Sequence, residues 1–332
     1  MTLDEIAERL PPPLVPSAAA DAAAANADTG APLAQVFVRE VALANALLEL
    51  VTHDMRRLEL VLARHTRVSR DLEAVIDAFC NDKVPMAWRT PSLTPAATPA
   101  QCAQRTCALR TWLAHQLRHA QALARWCASG EVPPSRSGSD AESVWLPGLM
   151  CPASLVEATR LRAAIANKWP LAQTRIVARV QGVPASSQQV PNGSDESAGV
   201  CVSGVQLDQA CWDVGRMGAV RGDAGGCGLP PVVLTGVGQD AAALVAPTLG
   251  HGGEAVDEWL GVPRPRRGAS ASGFVASEGA TSGAGCVSVP VLRTLGRAGP
   301  AVMHVAIPAL DQGSTAPREW LLAAVCGVLD PC

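Results

Sequence analysis

Between Leu33 and Leu62, apolar side chains recur at intervals of three and four without a break. They are Leu33, Val36, Phe37, Val41, Ala44, Leu47, Leu48, Val51, Met55, Leu58 and Leu62. A stripe of that period lies along one face of an α-helix, here over roughly eight turns. Such a helix cannot stand alone in water, so other elements must cover its stripe. Asp54, Arg56, Arg57, Glu59 and Arg64 are read as lying mostly off that face.

Shorter helices supply the cover. Leu72, Val75, Ile76 and Phe79 form the apolar face of a helix at about 69–81, with Ser69 as its N-cap. A third helix is expected over 100–128, with Cys102, Leu109, Trp112, Leu113, Leu117, Leu123 and Cys127 near one side. A fourth is expected over 152–167, opened by Pro152. Residues 1–10 read as the last turns of a helix stopped by "PPPLVP", and the Ala-rich run 17–30 reads as a linker. The Pro-rich run 90–99 and the polar run 129–140 read as connections.

After Trp169 the period falls to two. Segments 174–182, 199–207, 230–237, 286–292 and 301–309 read as strands, and 318–330 as strand or helix. The Gly-, Ala- and Ser-rich span 238–285 reads as one long loop. The expected fold is α+β, a helical bundle half followed by a small β-barrel-like half. The expected divisions are 1–30, 31–170 and 171–332.

Several function classes fall away. The chain has 332 residues, 48% hydrophobic and 17% charged, with net charge −3. A folded protein without a basic excess is a poor partner for nucleic acid. No stretch approaches the ~18 unbroken apolar residues of a membrane span. A phosphate-binding P-loop needs Gly-Lys-Ser/Thr. The only lysines, Lys83 and Lys168, have no Gly before them. Gly-x-Ser-x-Gly does not occur. The 11 Cys form no Cys-x-x-Cys, and with no apolar signal core at the N-terminus they read as reduced cytosolic thiols.

His115 and His119 are four apart, so one helix face could offer both to zinc. Gln116 replaces the Glu of the metalloprotease motif and no third ligand is indicated. Two His on a solvated helix side is the stronger reading, and a metal-dependent enzyme the weaker. The eight Trp stand in a sequence with three Phe and no Tyr. They lack the basic or polar neighbours of a stacking platform and read as packing anchors.

Five blocks, in order, carry a resemblance. "LAQVFVREVALANALLELVTHDMRRLELVL" is the first. "LEAVIDAFCNDKVPMAW" ends in Val-Pro-x-x-Trp at Val84, Pro85 and Trp88. "VWLPGLMCPASLVEATRLRAAIANKW" carries Trp145, Leu146, Gly148, Leu149 and Pro152 in a Trp-Leu-x-Gly-Leu-x-x-Pro order. "GVCVSGVQLDQACWD" is a hairpin ending in Trp212-Asp213, with Gln209 where Gly is usual. "LPPVVL", "VSVPVL" and "REWLLAAVCGVL" close the sequence, with Leu292 where an aromatic is common. Over about 33–237 and 286–330 this order resembles the C-terminal region of dynein heavy chains, nearer the cytoplasmic than the axonemal type.

That resemblance implies a cap of helices and a small β-barrel lying on a ring of AAA-type ATPase modules. Residues 1–16 would end the last module. The protein would be a fragment of a heavy chain or a separate reading frame, with no catalytic, cofactor or metal residues of its own. ATP would be hydrolysed in upstream modules, and microtubules met only through the parent. Partners would be the ring and other dynein subunits, in the cytoplasm on the cytoskeleton, or in an axoneme or cilium. Trp88, Trp145, Leu146, Gly148, Leu149, Pro152 and Trp212 would be structural anchors, with the Trp145 strip at the seam of the two halves. A freestanding adaptor with the same fold is the other reading.

Overall fold

The computed structural model describes residues 3–18, 20–21, 31–89, 108–130, 143–183, 199–221, 227–238, 285–292, 301–310 and 326–329. The protein divides into two compact units. One holds residues 1–132 and 145–158, the other 133–144 and 159–331. The division falls inside a helix.

The first unit is helical. Its elements are α1 (Leu3–Arg9), α2 (Ala31–Leu62), α3 (Arg70–Cys80), α4 (Met86–Arg89), α5 (Leu109–Ser129) and the first turns of α6 (Pro152–Asn167). Most of the α2 stripe is buried as its period requires, with Leu33, Phe37, Val41, Leu47, Val51, Met55 and Leu58 in the interior, but Leu48 is only half-buried and Leu62, in the last turn, is 71% exposed. Ile6, Leu72, Val84, Trp88 and Trp112 pack into the same core.

Three details depart from the sequence reading. The helix expected from 100 is described only from Leu109, and Cys102 lies outside the described residues. Ala108 is extended there and bridges Lys83, while Leu109 N donates to Asp82 O at 3.2 Å, so the helix starts late. Ser69 does stand at the N-cap of α3, yet its hydroxyl makes no cap bond. It accepts instead from Arg57 Nη2 at 2.5 Å, a charge-assisted bond stronger than a cap. The run read as a linker begins with a docked helical turn. Ser17 N donates to Cys127 O at 2.8 Å, Ser17 Oγ accepts from Ala20 N at 3.3 Å, and Ala20 is fully buried.

The second unit is a mixed sheet. Its strands are β2 (Arg175–Val180), β3 (Val200–Ser203), β4 (Gln206–Asp208), β5 (Ala210–Asp213), β6 (Gly218–Arg221), β7 (Cys227–Gly228), β8 (Val232–Val237), β9 (Gly285–Leu292), β10 (Met303–Ala309) and β11 (Cys326–Val328). Val144, from a two-residue strand β1 (Val144–Trp145), extends the sheet beyond β3. The order is β3-β8-β2-β10-β9-β11-β4-β7, with the β5–β6 hairpin branching from β10. β9 and β10 pair antiparallel over seven positions, Met303 to Ala309 against Val291 to Gly285. β2 pairs β10 parallel and β8 antiparallel.

The α+β class stands, with one correction. The sheet does not close into a barrel among the described residues: its ends, beyond β3 and at β7, do not pair with each other. Val202, Leu207, Val232, Leu234, Val305 and Ile307 form its interior. The segment 318–330 contributes the strand β11, and the long loop read over 238–285 falls almost wholly outside the described residues.

Candidate functional site

Glu40 sits in the third turn of α2, on the buried stripe, with 1% of its surface exposed. A carboxylate removed from water needs partners for its oxygens. Glu40 finds them 110 residues away. Met150 N donates to Oε2 at 2.7 Å, and Cys151 N donates to Oε1 at 2.9 Å. These amides precede Pro152, the first residue of α6, which has no N–H to offer. Cys151 is therefore the N-cap position. Glu40 does for α6, from another helix, what the Glu of a capping box does within one. Its negative charge also meets the positive end of the helix dipole.

His119 lies beside it on α5. Its Nε2 is 3.7 Å from Glu40 Oε2, too far for a hydrogen bond. Burial lowers the imidazole pKa from 6.5 to about 4, so the ring is neutral at pH 7 and the contact is not an ion pair. This corrects the solvated position expected for His119. It shares the inner face of α5 with Trp112, Leu123 and Trp126. A cavity of about 10 Å³ adjoins it, bounded also by Leu47, Val51 and Trp112. That is near the lower limit for one water.

Trp145 covers this knot and is partly exposed itself. The Arg118 guanidinium lies 4.4 Å from its ring centroid, and His115 meets it edge-on at 5.4 Å. Gly148 makes room for the ring. A Cβ there would come within 2.5 Å of Trp145 Cε3 and 3.1 Å of His119 Nδ1. The two His of the metal reading thus serve different neighbours, His115 the Trp145 ring and His119 the Glu40 pocket. Among the described residues no group of three or more His, Cys, Asp or Glu could hold a metal ion.

The other anchors fall as follows. Leu146 and Leu149 are buried beneath the strip, and Pro152 opens α6. Trp88 is fully buried, edge-on to Phe79 at 5.4 Å and tilted against Trp112 at 5.7 Å. Its Nε1 donates to Asp54 Oδ2 at 2.9 Å. Trp212 lies apart from these, buried in the second unit.

Glu40 and Asp54 are the polar residues that reading the stripe missed. The signal was there. Position 40 lies three after Phe37 and four before Ala44, and position 54 three after Val51 and four before Leu58. What the arrangement does chemically is hold segments together. Each buried carboxylate is consumed by donors of the protein itself.

Comparison with known proteins bears out the family as far as residue 239, short of the blocks "VSVPVL" and "REWLLAAVCGVL". Residues 1–239 match a family described as the C-terminal domain of the dynein heavy chain. A dynein alpha chain of the flagellar outer arm from Chlamydomonas reinhardtii is 28% identical over 182 residues, 55% of the present sequence and 4% of that protein. Human dynein axonemal heavy chain 9 is 25% identical over 189 residues, 57% of the present sequence and 4% of that one. A cytoplasmic dynein heavy chain from Dictyostelium discoideum is 25% identical over 182 residues, 55% and 3%. Flagellar, axonemal and cytoplasmic relatives thus match at similar identity, and the match spans a few per cent of each relative's length. Among the described residues no helix is long and apolar enough to cross a membrane.

Proposed function

The protein belongs to the family of C-terminal domains of dynein heavy chains, and on that premise we propose that it is a non-catalytic cap that packs on the AAA-type ATPase ring of a dynein motor. The single observation that carries this is the family match, unbroken from residue 1 to 239 and taking in both the helical unit and the sheet as far as β8. On this reading the cap contributes to microtubule-based movement by bracing and tuning the ring. ATP is bound and hydrolysed in other modules of the motor, not in this domain. Microtubules are reached only through the whole motor, in the cytoplasm and on the cytoskeleton. The internal use of Glu40 and Asp54 supports a bracing role, since both carboxylates hold elements in place and neither is free for turnover.

The test is direct. The 332-residue chain is mixed with a dynein motor ring that lacks its own C-terminal region. Sedimentation reads association, and microtubule-stimulated ATP hydrolysis reads regulation. A cap associates with the ring and changes its hydrolysis rate. A protein that sediments alone and leaves the rate unchanged overturns the reading.

A further inference from the structure

The second unit holds a pair of thiols that the cap reading does not use. Cys211 lies on β5, where it pairs with Val220 of β6. Cys227 lies on β7, where it pairs with Leu207 of β4. Both are free and partly exposed. Their side chains converge on one residue. Cys211 Sγ and Cys227 Sγ each lie 4.0 Å from Trp212 O. Trp212 N donates to Cys227 Sγ at 3.2 Å, and the Cys211 thiol is hydrogen-bonded to Cys227. That hydrogen bond, ahead of desolvation, pushes the Cys211 pKa up, with Asp213 adding to the rise.

We propose that Cys211 and Cys227 form a redox pair, oxidised by a hydroperoxide to a disulfide that ties β5 to β7. Cys227 is the sulfur placed to react first, because the Trp212 N–H already faces it. Its thiolate attacks one oxygen of hydrogen peroxide. The O–O bond breaks, hydroxide leaves and is protonated to water, and Cys227 becomes a sulfenic acid. Cys211 Sγ then attacks Cys227 Sγ. The S–O bond breaks, a second water leaves with the thiol proton, and the S–S bond forms. Two thiols are oxidised by two electrons, and one peroxide is reduced to two waters. A thiol donor of the glutathione type reverses the step by exchange. The inference rests on the sulfur geometry and stands or falls apart from the motor reading.

The test uses the reduced 332-residue chain and stoichiometric hydrogen peroxide, followed by alkylation and tryptic digestion without reductant. Arg216 and Arg221 lie between the two cysteines, so trypsin separates their peptides. Cys201 shares the tryptic peptide of Cys211, so fragmentation of the cross-linked species reads which of the two is bound; the expected product joins Cys211 to Cys227 and is lost on adding dithiothreitol. It forms at least about tenfold faster than exposed Cys80 is oxidised. In Cys211→Ser the sulfenic acid of Cys227 persists and is trapped by dimedone. In Cys227→Ser, Cys211 reacts no faster than Cys80. Oxidation of both cysteines at the rate of Cys80, or a disulfide from Cys227 to any other cysteine, overturns the proposal.

Discussion

The indole Nε1 of Trp88 donates to Asp54 Oδ2 at 2.9 Å, and both residues are buried in the core of the helical unit. The bond joins α2 to α4 across 34 positions of sequence. Arg57 stands 3.7 Å from the other carboxylate oxygen. Removing the acceptor leaves a buried indole N–H without a partner. Asp54→Ala is expected to destabilise this unit by about 2–3 kcal/mol, since a charged acceptor is lost and its donor is stranded. Asp54→Asn keeps an oxygen in place and should lose less than half of that. Urea unfolding followed by the helical circular dichroism signal measures both. Equal losses for the two variants would show that the hydrogen bond is not what matters.

Glu40 is the more exacting case, because it serves two amides at once. Glu40→Gln leaves one oxygen for Met150 N or Cys151 N and sets an NH2 against the other. The expected loss is about 1–3 kcal/mol. Glu40→Ala strands both amides and should lose about 2–5 kcal/mol, about 1–3 for each buried donor left unsatisfied. Hydrogen exchange adds a local reading. The Met150 and Cys151 amides should exchange faster in both variants, ahead of amides elsewhere in α6. Unchanged protection at those two positions would sink the capping role.

His119 gives the helical unit a pH dependence. Its pKa is 6.5 in the unfolded state and about 4 in the fold, lowered by burial. A protonated ring would gain the Glu40 carboxylate 3.7 Å away, but the loss of solvent outweighs that attraction. Between these values the unfolded state binds a proton that the fold refuses. The stability contribution is therefore complete above pH 6.5 and is lost as pH falls toward 4. It amounts to about 3 kcal/mol. His304, in the second unit, is lowered to about 4 by burial in the same way. The difference between the parent and His119→Gln isolates the first of these. Its helical signal should show a flatter dependence of stability on pH between 4 and 6.5. Parallel curves for the two proteins would refute the assignment.

How much of this is legible in the sequence follows from what each feature depends on. The α2 stripe depends only on local period, and most of it, from Leu33 to Leu58, is buried where the period puts it. The long strands β2, β8, β9 and β10 carry alternation or apolar runs and are equally plain. β6 and β7 are "GAVR" and "CG", too short to show a period. Closure of a barrel depends on which distant strands pair, and no local pattern encodes that. Asp54 reads as a surface residue, and Glu40 draws no notice, because charge outweighs position in a local reading. Their burial is decided by donors at Met150, Cys151 and Trp88, which only the fold brings near.

Gly236 on β8 and Ala163 on α6 show how tightly helix and sheet meet in the second unit. A Cβ built at Gly236 would collide with the Ala163 side chain. Ala163 is 1% exposed, so it has nowhere to move. Gly236→Ala should destabilise this unit by about 1–3 kcal/mol through overpacking. Ala163→Gly should destabilise it by about 1 kcal/mol through helix propensity. Together they should be less harmful than their sum, because the second substitution removes the atom that the first strikes. A strictly additive pair, measured by chemical unfolding, would mean that the backbones shift to absorb the clash.

Gln209 is the single residue between β4 and β5, where the backbone bends from one strand into the next. Its φ is +60°, in the left-handed region. This gives a physical reason why the family's hairpin block usually has Gly there. A residue with a Cβ is strained in that conformation by about 1 kcal/mol, and Gly is not. Gln209 is exposed, so its side chain adds little packing in return. Gln209→Gly is therefore expected to stabilise the second unit by at most about 0.6 kcal/mol, ~1 kcal/mol of relieved strain less ~0.4–1 for the added freedom of an unfolded Gly. Gln209→Asn, a residue that tolerates this region, should fall between. Gln209→Val, β-branched, should lose stability. The order Gly, Asn, Gln, Val in midpoint of chemical denaturation is the prediction. Gly at or below Gln in that order would show that the bend is not strained.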